Sequence, residues 1–170
     1  MKLNLGCGNV HKEGFINIDS EKTSAADQIV DLNRYPWPFP SNSIDVVYCS
    51  HFLEHVDEPV KAIEEIYRIL KKNGGLEVIA PYYASPGAFY DLTHRSFFGY
   101  KTFDPFSDNR EYNYISKARF RIGKRKLVFS KTHHVLGVQA FANAFPRIYE
   151  DFMAMVFPAR EIHFFMEAVK

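Results

Sequence analysis

The stretch from Ile44 to Pro81 constrains the fold of this chain more than any other. "IDVVYCS" (44–50) and "LEVIAP" (76–81) are short, apolar and β-branched, which favours strands over helices. Between them, "EPVKAIEEIYRILKK" (58–72) repeats Val60, Ile63, Ile66, Tyr67 and Leu70 at helical spacing. Pro59 falls in its first turn and Gly74-Gly75 supplies the stop. A strand, a helix and a second strand of this kind predict a right-handed crossover in a parallel sheet.

Three more strand-like runs precede it: "KLNL" (2–5), "FINID" (15–19) and "DQIVDL" (27–32). Parallel neighbours normally need about a dozen residues or more to cross over, and the first two runs stand closer than that. Loops are therefore expected where helices usually stand. The chain closes on "EIHFFMEAV" (161–169), read as a last strand. The expected class is α/β: a compact Rossmann-like three-layer sandwich with a mostly parallel sheet, an antiparallel last strand and shortened first crossovers.

With 170 residues, 46% hydrophobic and 24% charged, the chain is expected to form one domain over 1–170. A formal net charge of +1 gives no general attraction to nucleic acid or anionic membrane, so neither is an expected partner. No apolar run approaches the roughly 20 residues of a membrane span, and "MKLNLGCGNV" is too short and polar for a signal peptide. A cytoplasmic location is expected. Cys7 and Cys49 fit a reduced compartment, as structural or cofactor-lining thiols.

Past Pro81 the texture changes. Residues 82–116 carry Tyr82, Tyr83, Phe89, Tyr90, Phe97, Phe98, Tyr100, Phe103, Phe106, Tyr112 and Tyr114. These rings suit a substrate lid that stacks on a flat or sugar-like acceptor, or a small second core. "SKARFRIGKRKLVFSK" (116–131) reads as a basic strand with Gly123 at a turn or bulge. Its Lys117, Arg119, Arg121, Lys124, Arg125 and Lys126 suit either an anionic acceptor or a solvated strand face. "GVQAFANAFPRIYEDFMAMVF" (137–157) is helical, interrupted at Pro146. With the first strand at the start of the chain, substrate contacts are expected from 82–116 and 137–157. Phe152, Met153, Met155, Val156 and Phe157 suit a core or a dimer surface, so a monomer and a homodimer both stand.

The chemistry starts at "LNLGCGN", a strand running into Gly6-Cys7-Gly8, where the backbone turns sharply and approaches a ligand closely. Asp19 ends the second strand, where a carboxylate accepts hydrogen bonds from both ribose hydroxyls. Together they point to a nucleoside cofactor at the carboxyl ends of parallel strands. The dinucleotide pattern G-x-G-x-x-G fails at His11, and no P-loop is present.

In this order the motifs resemble the class I S-adenosylmethionine-dependent methyltransferases, in their small type-11-like form. "LNLGCGN" is similar to the family's first glycine motif and "INID" to its ribose-binding acid. "VDLNRYPWPFPSNSIDVVYCSHFLEHV" resembles its central signature, and "IYRILKKNGGLEVIAP" the helix and strand that follow. The resemblance covers about residues 2–81 and returns at the last strand. It implies S-adenosylmethionine as cofactor, held by Asn4, Gly6, Cys7, Gly8 and Asp19, by Asp31 and Leu32 beside the adenine, and by Ser50 and His51 at the methionine end. Asn4 stands where the family usually has an acid, and Val10 where many members have a third glycine.

Methyl transfer to an O or N atom of a small-molecule acceptor, anionic or sugar-like, is the implied reaction. Candidate catalytic groups are His51 and the "DLTHR" pair Asp91 and His94, with Asp91 alternatively capping a helix near Thr93. A catalytically silent module holding the cofactor or its demethylated product is the alternative. "SHFLEHV" also places His51, Glu54 and His55 at i, i+3 and i+4, the H-x-x-E-H arrangement of inverted zinc peptidases. A peptidase needs those histidines inside a helix, and here they follow a strand. No metal is expected; Glu54 and His55 are expected to begin the next helix.

Overall fold

The computed structural model describes residues 1–23, 25–107 and 114–170, with only the backbone of 134 and 135. Tyr112 and the middle of the expected lid lie outside the described residues.

Seven strands form one sheet: β1 (Lys2–Leu5), β2 (Ile16–Asp19), β3 (Gln28–Ile29), β4 (Ile44–Ser50), β5 (Leu70–Pro81), β6 (Phe120–Val128) and β7 (Glu161–Ala168). Their spatial order is β3-β2-β1-β4-β5-β7-β6. Pairs among β1 to β5 are parallel, and β7 runs antiparallel to both β5 and β6. The order reverses between β1 and β4, so a crevice opens at the carboxyl ends of those two strands.

The helix between β4 and β5 is α1 (Pro59–Ile69), with Pro59 in its first turn and Ala62, Ile63, Ile66 and Ile69 buried on one stripe. It stops three residues short of the 58–72 reading. Its last carbonyls find partners elsewhere: Asn42 N–H donates to Arg68 O and Ser43 N–H to Ile69 O. Leu70 is then already in β5, paired with Ile44 across a bulge. The third strand is also shorter than expected, only Gln28–Ile29 of 27–32.

No described residue between β1 and β4 is helical. What replaces the missing crossover helix is a polar knot around Asn17, fully buried in β2. Its Oδ1 accepts from Asn4 Nδ2 and the Lys12 N–H, both at 2.9 Å. Its Nδ2 donates to Asp27 Oδ2 at 2.9 Å and Phe15 O at 3.2 Å, while its own N–H reaches the same Asp27 oxygen at 2.8 Å. These bonds hold the Asp27 carboxyl below the usual carboxylate range. One side chain thus satisfies loop groups that a helix would have satisfied internally.

Beyond β5 the aromatic segment divides. Tyr82, Phe98, Phe103 and Phe106 are buried, with the Phe103 ring 4.7 Å from that of Phe164 on β7, whereas Phe89, Tyr90 and Phe97 are exposed. Short helices α2 (Gly87–Tyr90), α3 (Lys131–Val135), α4 (Val138–Ala144) and α5 (Pro146–Ile148) complete the fold, α5 running into a π-helical turn at Tyr149–Met153. The basic strand is the sheet edge β6. Arg121 pairs with Glu167, and Arg125 with Asp104 while lying over the Tyr100 ring. Charges on an edge strand oppose pairing with other chains.

Candidate active site

β1 ends in a turn in which Gly6 and Gly8 have φ of +65° and +53°. The reasons for the two glycines differ. A Cβ on Gly6 would lie 2.6 Å from Phe52 Cδ2, so the Phe52 ring occupies that space. A Cβ on Gly8 would meet nothing within 4 Å, because the turn faces an open cleft. The Gly8 N–H donates to Asp19 Oδ2 at 2.8 Å, and Asp19 Oδ1 accepts from the Glu21 N–H at 3.2 Å. A carboxylate has about four acceptor positions, so Asp19 retains capacity for further donors.

That cleft, about 300 Å³, is lined by Gly6, Gly8, Asp19, Asp31, Leu32, His51 and Phe52, among others. Asp31 accepts from the Asn33 N–H at 3.0 Å and pairs with exposed Arg34. A second cleft of about 560 Å³ lies beside the same turn, with Asn4, Cys7, Ser50 and His51 in its wall. The expected cofactor residues therefore gather around one glycine turn. The fit to a nucleoside cofactor rests on the open space beside Gly8 and the acceptor capacity left on Asp19. Both thiols are buried, and burial pushes their ionisation upward; Cys7 is an inert part of the cleft wall, whereas Cys49 is enclosed in the core.

A third and larger cleft, about 900 Å³, continues from there and is lined by His51, His55, Asp91, His94, His133, Arg160 and Glu161, among others. His51 borders all three clefts and has φ of +51°, a left-handed conformation that is uncommon outside glycine. Its Nε2 lies 3.5 Å from Glu161 Oε1 and its Nδ1 3.2 Å from Glu54 Oε1. The carboxylates of Glu161 and then of Glu54 beside it raise its pKa to about 9. It is an imidazolium at neutral pH, a donor and not a resting base. Glu161, flanked by His163 and His51, is held far below the usual carboxylate range.

The structure corrects two local expectations. Glu54 and His55 do not begin the next helix: they lie in a turn before Pro59. Asp91 neither caps a helix nor holds His94. Its Oδ1 accepts from the Thr93 N–H at 2.8 Å and the Thr93 hydroxyl at 2.7 Å, while His94 Nδ1 lies 3.0 Å from Ala88 O. Three cleft residues escaped sequence reading: Arg160 and Glu161, which the antiparallel return of β7 brings to the crevice, and His133 of α3.

Against known families, residues 9–78 match the type-11 methyltransferase model, described as a methyltransferase domain. Over that stretch the chain is similar to the class I methyltransferases of the type-11 kind. The cofactor of that family is S-adenosylmethionine. A ubiquinone/menaquinone biosynthesis C-methyltransferase, UbiE, from Pseudoalteromonas translucida is 35% identical over 78 residues, 45% of this chain and 28% of that protein. The chain thus spans under a third of the length of the curated relatives it matches. Among solved structures, an S-adenosylmethionine-dependent methyltransferase from Archaeoglobus fulgidus aligns with a TM-score of 0.60 at 18% identity, covering 98% of this chain and 85% of that one. The [4+2]-cyclase SpnF aligns with a TM-score of 0.62 at 18% identity, over 99% and 74%. No described helix of this methyltransferase-fold chain is long and apolar enough to cross a membrane.

Proposed function

We propose that this chain transfers a methyl group from S-adenosylmethionine to an O or N atom of a small-molecule acceptor. The observation that carries the proposal is the Gly6–Gly8 turn beside Asp19, which leaves open space where a nucleoside would lie at the sheet's switch point. In this reading Asp19 takes the ribose hydroxyls, Asp31 and Leu32 flank the adenine, and Asn4, Ser50 and His51 face the methionine end. The bound cofactor supplies an activated methyl group.

The chain's own contribution is largely placement. The acceptor enters the 900 Å³ cleft, where Arg160 and His51 offer positive charge and Asp91 and Glu161 negative charge. Holding nucleophile and methyl carbon in line at near contact provides most of the acceleration such a reaction needs. The charged side chains in that lining favour a polar acceptor with a heteroatom nucleophile. Residues 82–116 act as lid, with Phe89, Tyr90 and Phe97 exposed for stacking, and residues 1–170 work as one unit in the cytoplasm.

Methyl-labelled S-adenosylmethionine incubated with the protein and a low-mass metabolite extract tests this. Label recovered in a low-mass product supports transfer and excludes a binding-only module. Label recovered only in protein or nucleic acid contradicts the small-molecule reading, and a product methylated on carbon contradicts the heteroatom acceptor.

A further inference from the structure

Methyl transfer leaves Glu54, beside the crevice, unexplained. Its side chain is 1% exposed, and neither carboxylate oxygen has a hydrogen-bond donor of adequate geometry. The charged group beside it is His51, with Nδ1 3.2 Å from Oε1. A buried carboxylate left without donors is costly.

Two imidazoles face the same point. The rings of His55 and His94 meet edge to face at 4.7 Å. One nitrogen from each, with a Glu54 oxygen, forms a set whose atoms all lie within 4.8 Å of one another. The neighbours of these rings fix their protons. His94 Nδ1 lies 3.0 Å from the Ala88 carbonyl, which only accepts, so Nδ1 carries the hydrogen. His55 Nδ1 lies 2.8 Å from Thr93 Oγ1, whose own proton is committed to Asp91 Oδ1 at 2.7 Å, so His55 Nδ1 is the donor there. Each ring therefore keeps an unprotonated Nε2, the arrangement in which outer partners orient metal-binding histidines.

We propose that Glu54, His55 and His94 form a divalent-cation site at the wall between the cofactor cleft and the larger cleft. Two imidazoles and one carboxylate suit zinc, with a fourth position open to the cleft. Side-chain adjustments of about 1 Å bring the three donors to the ~2.0–2.2 Å at which zinc is held. The site differs from the H-x-x-E-H reading of the sequence: His51 is outside it, and His94 comes from another segment. It does not depend on the methyl-transfer reading, because metal binding is read without cofactor or acceptor.

Cobalt(II) chloride titrated into the chelator-treated full chain tests the site by visible absorption. One equivalent with the intense bands of four-coordinate cobalt, displaced by zinc chloride, is expected. His94→Gln should weaken binding about tenfold or more, whereas His163→Gln, outside the site, should leave it unchanged. His94 lies on a half-buried loop, so its variant keeps the fold, and a thermal melt confirms that. Absence of the bands, or undiminished binding in a folded His94→Gln protein, overturns the proposal. S-adenosylhomocysteine binding measured on the same samples separates that failure from failure of the methyltransferase reading.

Discussion

At the residue scale, Asn17 and the two glycines of the first turn carry different loads. Asn17→Ala removes the acceptor for Asn4 and Lys12 and the donor for Asp27 in a fully buried position. Stranding those groups should cost about 2–3 kcal/mol of stability, read as a lower midpoint in urea. An unchanged midpoint would mean that the knot does not hold the loop. Gly6→Ala places a Cβ 2.6 Å from Phe52, and Gly8→Ala places one in open space; both have positive φ. Gly8→Ala should therefore lose only about 1–2 kcal/mol from its backbone conformation, and Gly6→Ala clearly more. Equal melting temperatures for the two variants would contradict this. The glycine turn and Asp19 were legible in the sequence because local chemistry dictates both. His94 as a neighbour of Glu54 was not: residues 40 apart meet only through the loop after β5.

At the element scale, α1 and its flanking strands follow from periodicity and Pro59, but the expected stop at Gly74-Gly75 does not hold: both glycines lie inside β5, and the structure departs at the helix's C-terminal end, at Ile69. There the partners that stop it, Asn42 and Ser43, belong to a loop that helical periodicity does not register. The aromatic segment was ambiguous because ring content does not say which face is buried; β7 decides that by covering Phe103. A single carboxylate ties this segment to the C-terminal helical turns. Glu150 Oε1 accepts from the Tyr82 hydroxyl at 3.0 Å and from the Tyr100 N–H at 2.9 Å. Glu150→Ala should raise hydrogen exchange at the Tyr100 amide by about tenfold, since losing such a bond to a charged acceptor costs on the order of 1.5–3 kcal/mol. Exchange as slow as in the unaltered protein would show that packing alone holds the segment.

At the scale of the whole molecule, a sheet with few crossover helices in its first half still builds the crevice between β1 and β4. That economy explains why the cofactor half was readable from ordered short motifs, while the larger cleft was not. Its walls come from the starts of α3 and β7, the loop after β5 and the turn after β4, four places that share no local pattern. A ligand that binds the folded chain alone must raise its stability by mass action. The claim that the crevice holds S-adenosylmethionine is tested most directly by calorimetric titration of S-adenosylhomocysteine into the protein and into Asp19→Ala. One-to-one binding by the unaltered chain, weakened about tenfold or more in the variant by loss of hydrogen bonds to a charged group, is the expected result. No binding by the unaltered chain, or equal affinity in both, would contradict the account.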